Sequence, residues 1–398
     1  MASRDPRWVF KDRPSVSLII GLVLAGLCAI VSFSFDVING APVAFIVSLG
    51  LALAPVPLLL AAVLALDRME PEPRSNLVFA FAWGAGVAVL VAGVINSLNL
   101  RYLMSAAALG PADARSIAAT FGAPVVEETM KGLVLLGLLR FRRAELDGPT
   151  DGIIYASMVG LGFAMSENVS YYIAALNSEQ GVQGLAVTVV LRGILSPFAH
   201  PLFTSMIGIA VAYAAQRRGP DRALIILAGW VGAMLLHGLW NGLASYGGAA
   251  GLAIAYGTLL VVLLALMVVV WRDRRRIVRL LQRYLPPYEP TKLVDQADIY
   301  MLSAISRRRQ ARQWAQAHGG KEGLRAMSDY QLAATELGLL HERAERHIVD
   351  DHTFHEEQRA LLECMAAARS RFPVPDQHAA SMAMGTPPPG YAPGAPPA

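Results

Sequence analysis

Apolar positions in the first 271 residues form long continuous runs, not the two-residue alternation of a half-exposed strand. Each run is about 18 residues or longer, which lets a helix cross a hydrocarbon core of about 30 Å. The runs lie at 16–34, 42–66, 77–95, 117–139, 152–176, 185–215, 223–245 and 252–271. Because unpaired backbone groups are too costly in lipid, each run must be helical. The pattern therefore predicts an all-α polytopic membrane bundle of about eight transmembrane helices.

The composition supports a membrane protein. Of the 398 residues, 55% are hydrophobic and 16% are charged, whereas a soluble domain carries about 25% charged residues. Basic residues lie in short loops beside the predicted spans, so the net charge of +4 does not indicate a nucleic-acid partner. Of the two cysteines, one lies in the first apolar run and the other in the polar C-terminal region, which does not indicate a disulfide framework.

Loop charges predict the orientation of the chain. Alternate loops and the flanking segments carry 18 Lys and Arg residues, whereas the opposite loops hold only Arg101 and Arg115. Basic residues next to membrane helices are retained on the cytoplasmic side. We therefore expect an even number of spans, with both termini in the cytoplasm.

The character of the chain changes after the paired prolines at 286–287. Residues 291–371 are polar, with a break at Gly319-Gly320, and predict two or three amphipathic helices. Residues 373–398 contain eight prolines and predict a disordered tail. We divide the chain into a cytoplasmic N-terminal arm (1–15), a transmembrane domain (16–271), a cytoplasmic helical extension (272–372) and the Pro-rich tail (373–398).

Four predicted spans contain ionisable or amide side chains, which are rare in lipid and are therefore candidates for function. These side chains are Glu127, Glu128, Lys131, Glu167, Asn168, His200, His237 and Asn241. At about 1.5 Å per residue, the four groups lie roughly 20–24 Å from the predicted cytoplasmic ends of their spans. A common depth is typical of a shared site, whereas separate ion pairs, interhelical hydrogen bonds or core histidines are the structural alternatives. Arg192 is expected to extend to the outer interface.

The segments that carry these residues are PVVEETMKGL, TDGIIYASMVGLGFAMSENVSYY, SPFAHPLFTSMIG and LLHGLWNG. In order and spacing they resemble the PrsW-type intramembrane proteases, distant relatives of the CAAX prenyl-endopeptidase and bacteriocin-immunity group. DRMEPEP at 67–73 is similar to an early loop of that family, and the resemblance covers about residues 60–245. It implies a helical cavity with two glutamates and two histidines, peptide-bond hydrolysis, a membrane-protein substrate such as an anti-sigma factor, and a bacterial plasma membrane.

For this chemistry we expect Glu128 to act as the general base that activates water. Glu127 would position Glu128 or share its proton, and Lys131 would offset the excess negative charge. His200 would help to activate water or protonate the leaving nitrogen.

The remaining side chains have supporting roles in this hypothesis. His237 and Asn241, four residues apart on one helical face, would donate hydrogen bonds to the oxyanion. Glu167 and Asn168 would orient the histidines or bind the substrate backbone.

A metal-free glutamate mechanism without a cofactor is the preferred interpretation, since the chain has no H-E-x-x-H motif. The alternative is a zinc ion held by His200, His237 and Glu167, with Glu128 as the base. Two other classes of function remain open: a proton-coupled transporter that uses the same buried polar layer, and a membrane scaffold that recruits partners through residues 291–398. The expected partners are the lipid bilayer and a membrane-protein substrate, and the sequence does not specify an oligomeric state.

Overall fold

The structure, a computed structural model, describes residues 15–66, 68–107 and 109–371. The N-terminal arm up to residue 14 and the predicted Pro-rich tail lie outside the described residues. The chain divides into a membrane unit within Asp12–Arg275 and a C-terminal unit from Arg276 onward. The described residues of both units form helices and turns without any strand, which confirms the all-α prediction.

The membrane unit begins with α1 (Val16–Leu53), which bends at Ala41 and Pro42, and α2 (Val56–Leu66). Its other helices are α3 (Arg74–Trp83), α4 (Val89–Ser105), α5 (Pro111–Ile117), α6 (Ala123–Phe141), α7 (Pro149–Leu176), α8 (Gly181–Thr188), α9 (Ala199–Ala215), α10 (Asp221–Tyr246) and α11 (Gly248–Tyr284), whose residues from Arg276 onward belong to the C-terminal unit. Three π-helical segments interrupt them, at Gly84–Ala88, Ala118–Gly122 and Val189–Leu195.

Within the described residues, five helical stretches are long and apolar enough to cross a membrane. They are Val16–Leu66, Arg74–Ser105, Gly181–Ala215, Asp221–Tyr246 and Gly248–Tyr284. The first stretch joins two predicted spans across the bend in α1, so the five contain six of the eight predicted spans. The predicted spans at 117–139 and 152–176 are helical, but they carry most of the polar candidates and are less apolar. Nearly all of α7 is buried, so its polar groups face protein.

Helix α7 lies at the centre of the membrane unit and packs most extensively against α9. A Cβ atom on Gly152 of α7 would lie 2.2 Å from the carbonyl oxygen of Gly208 on α9, and one on Gly208 would lie 2.0 Å from that of Gly152. Only glycine permits this approach, and small residues at helix contacts are typical of membrane bundles. The tight contact brings the far end of α7 next to the first turn of α9.

The C-terminal unit contains α12 (Gln296–Leu302), α13 (Ile305–Glu345) and α14 (Asp351–Arg369). Helix α13 is broken at Gly320, where φ is +58°, in agreement with the predicted break. Arg308 is buried and donates hydrogen bonds to the Leu302 carbonyl and the Thr335 hydroxyl, which ties α12 to α13. The boundary that the sequence predicts at residue 272, between the transmembrane domain and the helical extension, stays a prediction.

Candidate active site

A cluster of ionisable side chains lies in the middle of the membrane unit, and we call it the polar cluster. Helix α6 contributes three of its members, and α7, α9 and α10 contribute one each: Glu127, Glu128, Lys131, Glu167, His200 and His237. All are buried except Glu167, whose side chain is 16% exposed. Six of the eight predicted site residues are therefore linked in one network of contacts.

Lys131 is the hub of the polar cluster. Its Nζ atom is fully buried and lies 2.9 Å from Glu128 Oε1, 2.9 Å from His200 Nδ1 and 3.5 Å from Glu127 Oε2. It also lies 3.9 Å above the ring of Phe163. The i,i+3 and i,i+4 spacings place both carboxylates on the lysine's face of α6. One ammonium group therefore offsets charge from two adjacent glutamates, as the sequence predicts, and also contacts a histidine on α9.

Glu128 is fully buried, and both of its oxygens are engaged in hydrogen bonds. Besides the bond from Lys131, Oε1 lies 3.0 Å from His237 Nδ1, and Oε2 accepts a 2.9 Å hydrogen bond from the Thr204 hydroxyl. A carboxylate with this many strong donors is well suited to orient its neighbours. It has little capacity left to accept a hydrogen bond from a reacting water.

Glu127 is held less tightly than its neighbour Glu128. Its Oε1 accepts a 3.2 Å hydrogen bond from the amide of Asn96, and its Oε2 lies 3.5 Å from Lys131 Nζ and 3.8 Å from His237 Nε2. These contacts are longer than those around Glu128, so Glu127 is the carboxylate of this pair that has capacity for a further partner.

The carboxylate of Glu128 sets the proton position on His237. A carboxylate acceptor at Nδ1 requires that nitrogen to carry the proton, so Nε2 presents its lone pair in the neutral ring. Nε2 points toward Glu127 Oε2. The ring of Phe203 stacks on His237 with centroids 4.9 Å apart and fixes its plane. His237 is thus an oriented acceptor, whereas the sequence suggested a donor to the oxyanion.

A second carboxylate, Glu167, orients His200. Its Oε2 lies 3.0 Å from His200 Nε2 and also pairs with the guanidinium of Arg192. Arg192 Nε donates a 2.8 Å hydrogen bond to the side-chain oxygen of Asn168, and the guanidinium lies 3.8 Å above the ring of Tyr171. The guanidinium of Arg192 therefore turns to partners on α7, and its position at the outer interface stays a prediction.

The two predicted amides, Asn168 and Asn241, hydrogen-bond to partners outside the polar cluster. Asn241 donates its amide to the carbonyl of Ala119 at 2.8 Å, in the π-helical segment where backbone pairing is disturbed, so it ties α10 to that segment. Asn168 contacts Arg192 and orients neither histidine. Sequence reasoning missed Asn96 and Thr204 as partners of the carboxylates. Their only sequence signal is a polar side chain within a predicted span, for Thr204, or one residue after a predicted span, for Asn96.

One group of side chains has the composition of a metal-ligand set. Glu127, His200 and His237 each offer a ligand atom, and these atoms lie within 4.8 Å of one another. Two histidines and one carboxylate are a common set for zinc. The carboxylate of this set is Glu127, whereas the sequence-based alternative used Glu167, which here pairs with Arg192.

The two histidines of this set differ in how well their hydrogen bonds suit a metal ligand. His237 donates Nδ1–H to a carboxylate and leaves Nε2 free, which is the usual arrangement of a metal-bound histidine. His200 has both ring nitrogens engaged, by Lys131 and Glu167, and must release one of them to bind an ion. The residues fit zinc in type and spacing once His200 gives up one hydrogen bond.

Comparison with known proteins identifies the family of the chain. Residues 72–271 match the family described as PrsW family intramembrane metalloprotease. The chain is 29% identical to Protease PrsW of Geobacillus kaustophilus over 175 residues, which cover 44% of this chain and 69% of the relative. It is 30% identical to Protease PrsW of Oceanobacillus iheyensis over 129 residues, covering 32% and 55% of the two chains. The Protease PrsW of Clostridioides difficile is 25% identical over 225 residues, covering 56% and 86%. No solved structure matches the chain at a significant level.

Proposed function

The chain belongs to the PrsW family of intramembrane proteases, and we propose that its polar cluster hydrolyses a peptide bond of a membrane-protein substrate by means of a glutamate-activated water. The observation that supports this proposal is the arrangement of two acceptors, Glu127 Oε2 and His237 Nε2, 3.8 Å apart beside a buried ammonium group. The family resemblance suggests an anti-sigma factor or a similar regulator as the substrate.

Glu127 is the general base in this proposal. Its Oε2 and the lone pair of His237 Nε2 are both acceptors and lie 3.8 Å apart, so one water about 2.8 Å from each can donate a hydrogen bond to both. A water held by both protons directs its lone pairs at a substrate carbonyl. Glu127 removes one proton as the oxygen attacks, and it then gives that proton to the leaving nitrogen. Glu128 holds His237 in place, so the roles of the two glutamates are the reverse of those expected from the sequence.

Lys131 supplies positive charge where the reaction develops negative charge. Its Nζ lies 3.5 Å from Glu127 Oε2 in a fully buried position, where electrostatic interactions are stronger than in water. His200 accepts a hydrogen bond from the same ammonium at Nδ1 and fixes its position. This assignment replaces Asn241 as the group that stabilises the oxyanion.

A zinc-dependent version of the same reaction is the second candidate, because Glu127, His200 and His237 fit a ligand set. A zinc ion bound there would polarise the carbonyl and activate the water. The cofactor-free version is the one that we propose, since Lys131 Nζ is already 2.9 Å from His200 Nδ1 and would repel a second cation at these donors.

Paired isosteric substitutions test the proposal. Membrane proteomes of cells that carry the wild type, Glu127→Gln or Glu128→Gln are compared for a protein that accumulates uncleaved, and that protein is then used as the substrate of purified enzyme. Glu127→Gln is expected to abolish cleavage with folded protein retained. Glu128→Gln keeps hydrogen bonds to His237 and Thr204 and is expected to retain measurable activity. Full cleavage by Glu127→Gln contradicts the proposal and favours the transporter alternative.

Metal dependence is tested on the purified enzyme with the same substrate. We expect protein without stoichiometric metal to be active and a strong chelator to leave the rate unchanged. Stoichiometric zinc, with activity lost on chelation and restored by zinc, contradicts the cofactor-free mechanism and assigns Glu127, His200 and His237 as ligands.

We also propose that the protein crosses the plasma membrane eight times with both termini in the cytoplasm, on the basis of the loop charges. Reporter fusions at Asn39, Gly110 and Gly247 are expected to report an external position, and a fusion at Arg142 an internal one. An internal signal at Gly110 contradicts the order of spans four to seven.

A further inference from the structure

Arg192 lies on the π-helical segment Val189–Leu195, immediately before the chain turns into α9. It is a charged residue within an apolar stretch long enough to cross a membrane, and its side chain is only 25% exposed. Charged groups within membrane-spanning stretches persist where they are paired and where they serve a function. Nothing in the proposed proton transfers uses Arg192, so its presence needs a separate explanation.

The guanidinium is fixed by three neighbours on one face of α7. It pairs with Glu167 Oε2, donates from Nε to Asn168 and stacks on Tyr171 at 3.8 Å. Such a planar group, held on two sides and over a ring, has little freedom to move. It therefore defines the position of the carboxylate oxygen that it contacts.

That same oxygen, Glu167 Oε2, lies 3.0 Å from His200 Nε2. Neutral His200 cannot offset the charge of Glu167, whereas the guanidinium can. Lys131 Nζ is 2.9 Å from Nδ1 of the ring, so that nitrogen accepts and Nε2 must carry the proton. The Nε2–H group then has one acceptor, the oxygen that Arg192 holds.

We propose that Arg192 is a positioning residue for the reaction: it anchors Glu167 so that the carboxylate locks the His200 ring against Lys131. This role rests on the proposed function of the polar cluster, because His200 in turn holds the ammonium group that faces the substrate. Without the anchor, Glu167 is free to rotate toward the exposed side of the bundle. The His200 ring then loses one of its two hydrogen bonds and Lys131 loses a fixed partner.

The test reads the hydrogen bond directly and needs no substrate. Full-length protein with ¹⁵N-labelled histidine rings is placed in lipid nanodiscs, and the His200 signal is assigned by its loss in His200→Gln. In the wild type we expect a single ring form with a hydrogen-bonded, slowly exchanging Nε2–H. Arg192→Met is expected to abolish that protected proton, and Arg192→Lys to retain it in part, since a lysine can neutralise Glu167 but cannot also bridge to Asn168.

Matched variants keep the test decisive if Arg192→Met does not fold. Glu167→Gln preserves the shape and removes the charge, so it should weaken the Nε2–H signal as well. Adding Arg192→Met to Glu167→Gln should change the His200 signal no further, because Arg192 acts through Glu167. Arg217→Met, which breaks a half-exposed ion pair with Asp221, serves as the control and should leave His200 unchanged. An unchanged His200 signal in Arg192→Met, or an additional loss of similar size in the double variant, overturns the proposal.

Activity provides a second, separable readout. On the substrate identified by proteome comparison, Arg192→Met is expected to lower kcat about 100-fold and to change KM less than about threefold, since His200 acts on the chemical step. A large rise in KM at unchanged kcat assigns Arg192 to substrate binding and overturns the positioning role. If Glu127→Gln still cleaves while the His200 signal responds to Arg192 as expected, the proposed function fails and the structural coupling stands.

Discussion

Replacing Lys131 by methionine removes the only ammonium group of the polar cluster. The side chain is fully buried, and its Nζ contacts Glu128 Oε1, His200 Nδ1 and Glu127 Oε2 at 2.9, 2.9 and 3.5 Å. Methionine fills a similar volume, so the substitution tests charge more than packing. The change leaves two adjacent carboxylates without their shared cation.

The expected destabilisation follows from these contacts. Removing one partner of a buried ion pair costs roughly 3–5 kcal/mol, because the remaining charge is left uncompensated. Glu128 keeps hydrogen bonds from His237 and Thr204, so we expect a value within that range and not beyond it. For a unit of more than 150 residues, each kcal/mol corresponds to roughly 2–4 °C in Tm, which gives a decrease of roughly 6–20 °C.

Thermal unfolding of the purified full-length protein in one detergent measures this decrease. Lys131→Met/Glu128→Gln is expected to recover at least half of the loss, since glutamine keeps an acceptor for His237 without the stranded charge. Arg217→Met is the control, because its ion pair with Asp221 is about half exposed and such pairs contribute about 0–1 kcal/mol. Two results refute the electrostatic argument. One is a Lys131→Met protein whose Tm lies within about 2 °C of the wild-type value. The other is a double variant that is no more stable than Lys131→Met alone.

Three further predictions concern other parts of the fold. Asp36 is buried, and one of its oxygens accepts a 2.7 Å hydrogen bond from the Ser170 hydroxyl, whereas the other has no partner among the described residues. Asp36→Asn should therefore raise the free energy of unfolding by about 1 kcal/mol in thermal unfolding, and a decrease contradicts this. Gly152→Val places a side chain against the Gly208 carbonyl and should cost more than about 3 kcal/mol of stability or prevent folding. Gly50→Val is the control and should be tolerated, because there is open space around Gly50. Equal yields of folded protein from both variants contradict the close α7–α9 contact. Burial lowers the pKa of His341 from its ordinary value of 6.5, so the unfolded chain binds this proton more readily than the folded chain. The contribution of His341 to the stability of the C-terminal unit should therefore be complete above pH 6.5 and fall as the pH decreases below it. His341→Gln should reduce the difference in Tm between about pH 7.5 and about pH 5.5.

Most of the secondary structure of the membrane unit follows from the local pattern of residues. The predicted spans are helical over most of their length in the structure, with interruptions at 54–55 and 196–198, and the break between the first two spans falls at Ala41 and Pro42. The physical reason is local: in lipid a segment must pair its own backbone groups, so a long apolar run admits only a helix. The rarity of charge in such runs also identified six members of the polar cluster before any contact was known.

Which atoms of those residues meet depends on how the helices pack against one another. Glu127 and Glu128 are neighbours on one helix, yet Glu128 faces Thr204 and His237 and is fully engaged, whereas Glu127 faces Asn96 more loosely. This difference depends on how α6 is rotated against its neighbours, which the composition of a span does not encode.

The contacts of Asn241 and Arg192 also depend on the packing of neighbouring helices. Asn241 donates a hydrogen bond to a carbonyl group in a π-helical segment. Arg192 lies on the π-helical segment that precedes α9 and pairs with Glu167. Spacing along one helix predicts which side chains share a face, but not which partner a neighbouring helix presents to that face. Those partners are fixed by close interhelical packing, such as the glycine contact between α7 and α9, and therefore only by the folded bundle as a whole.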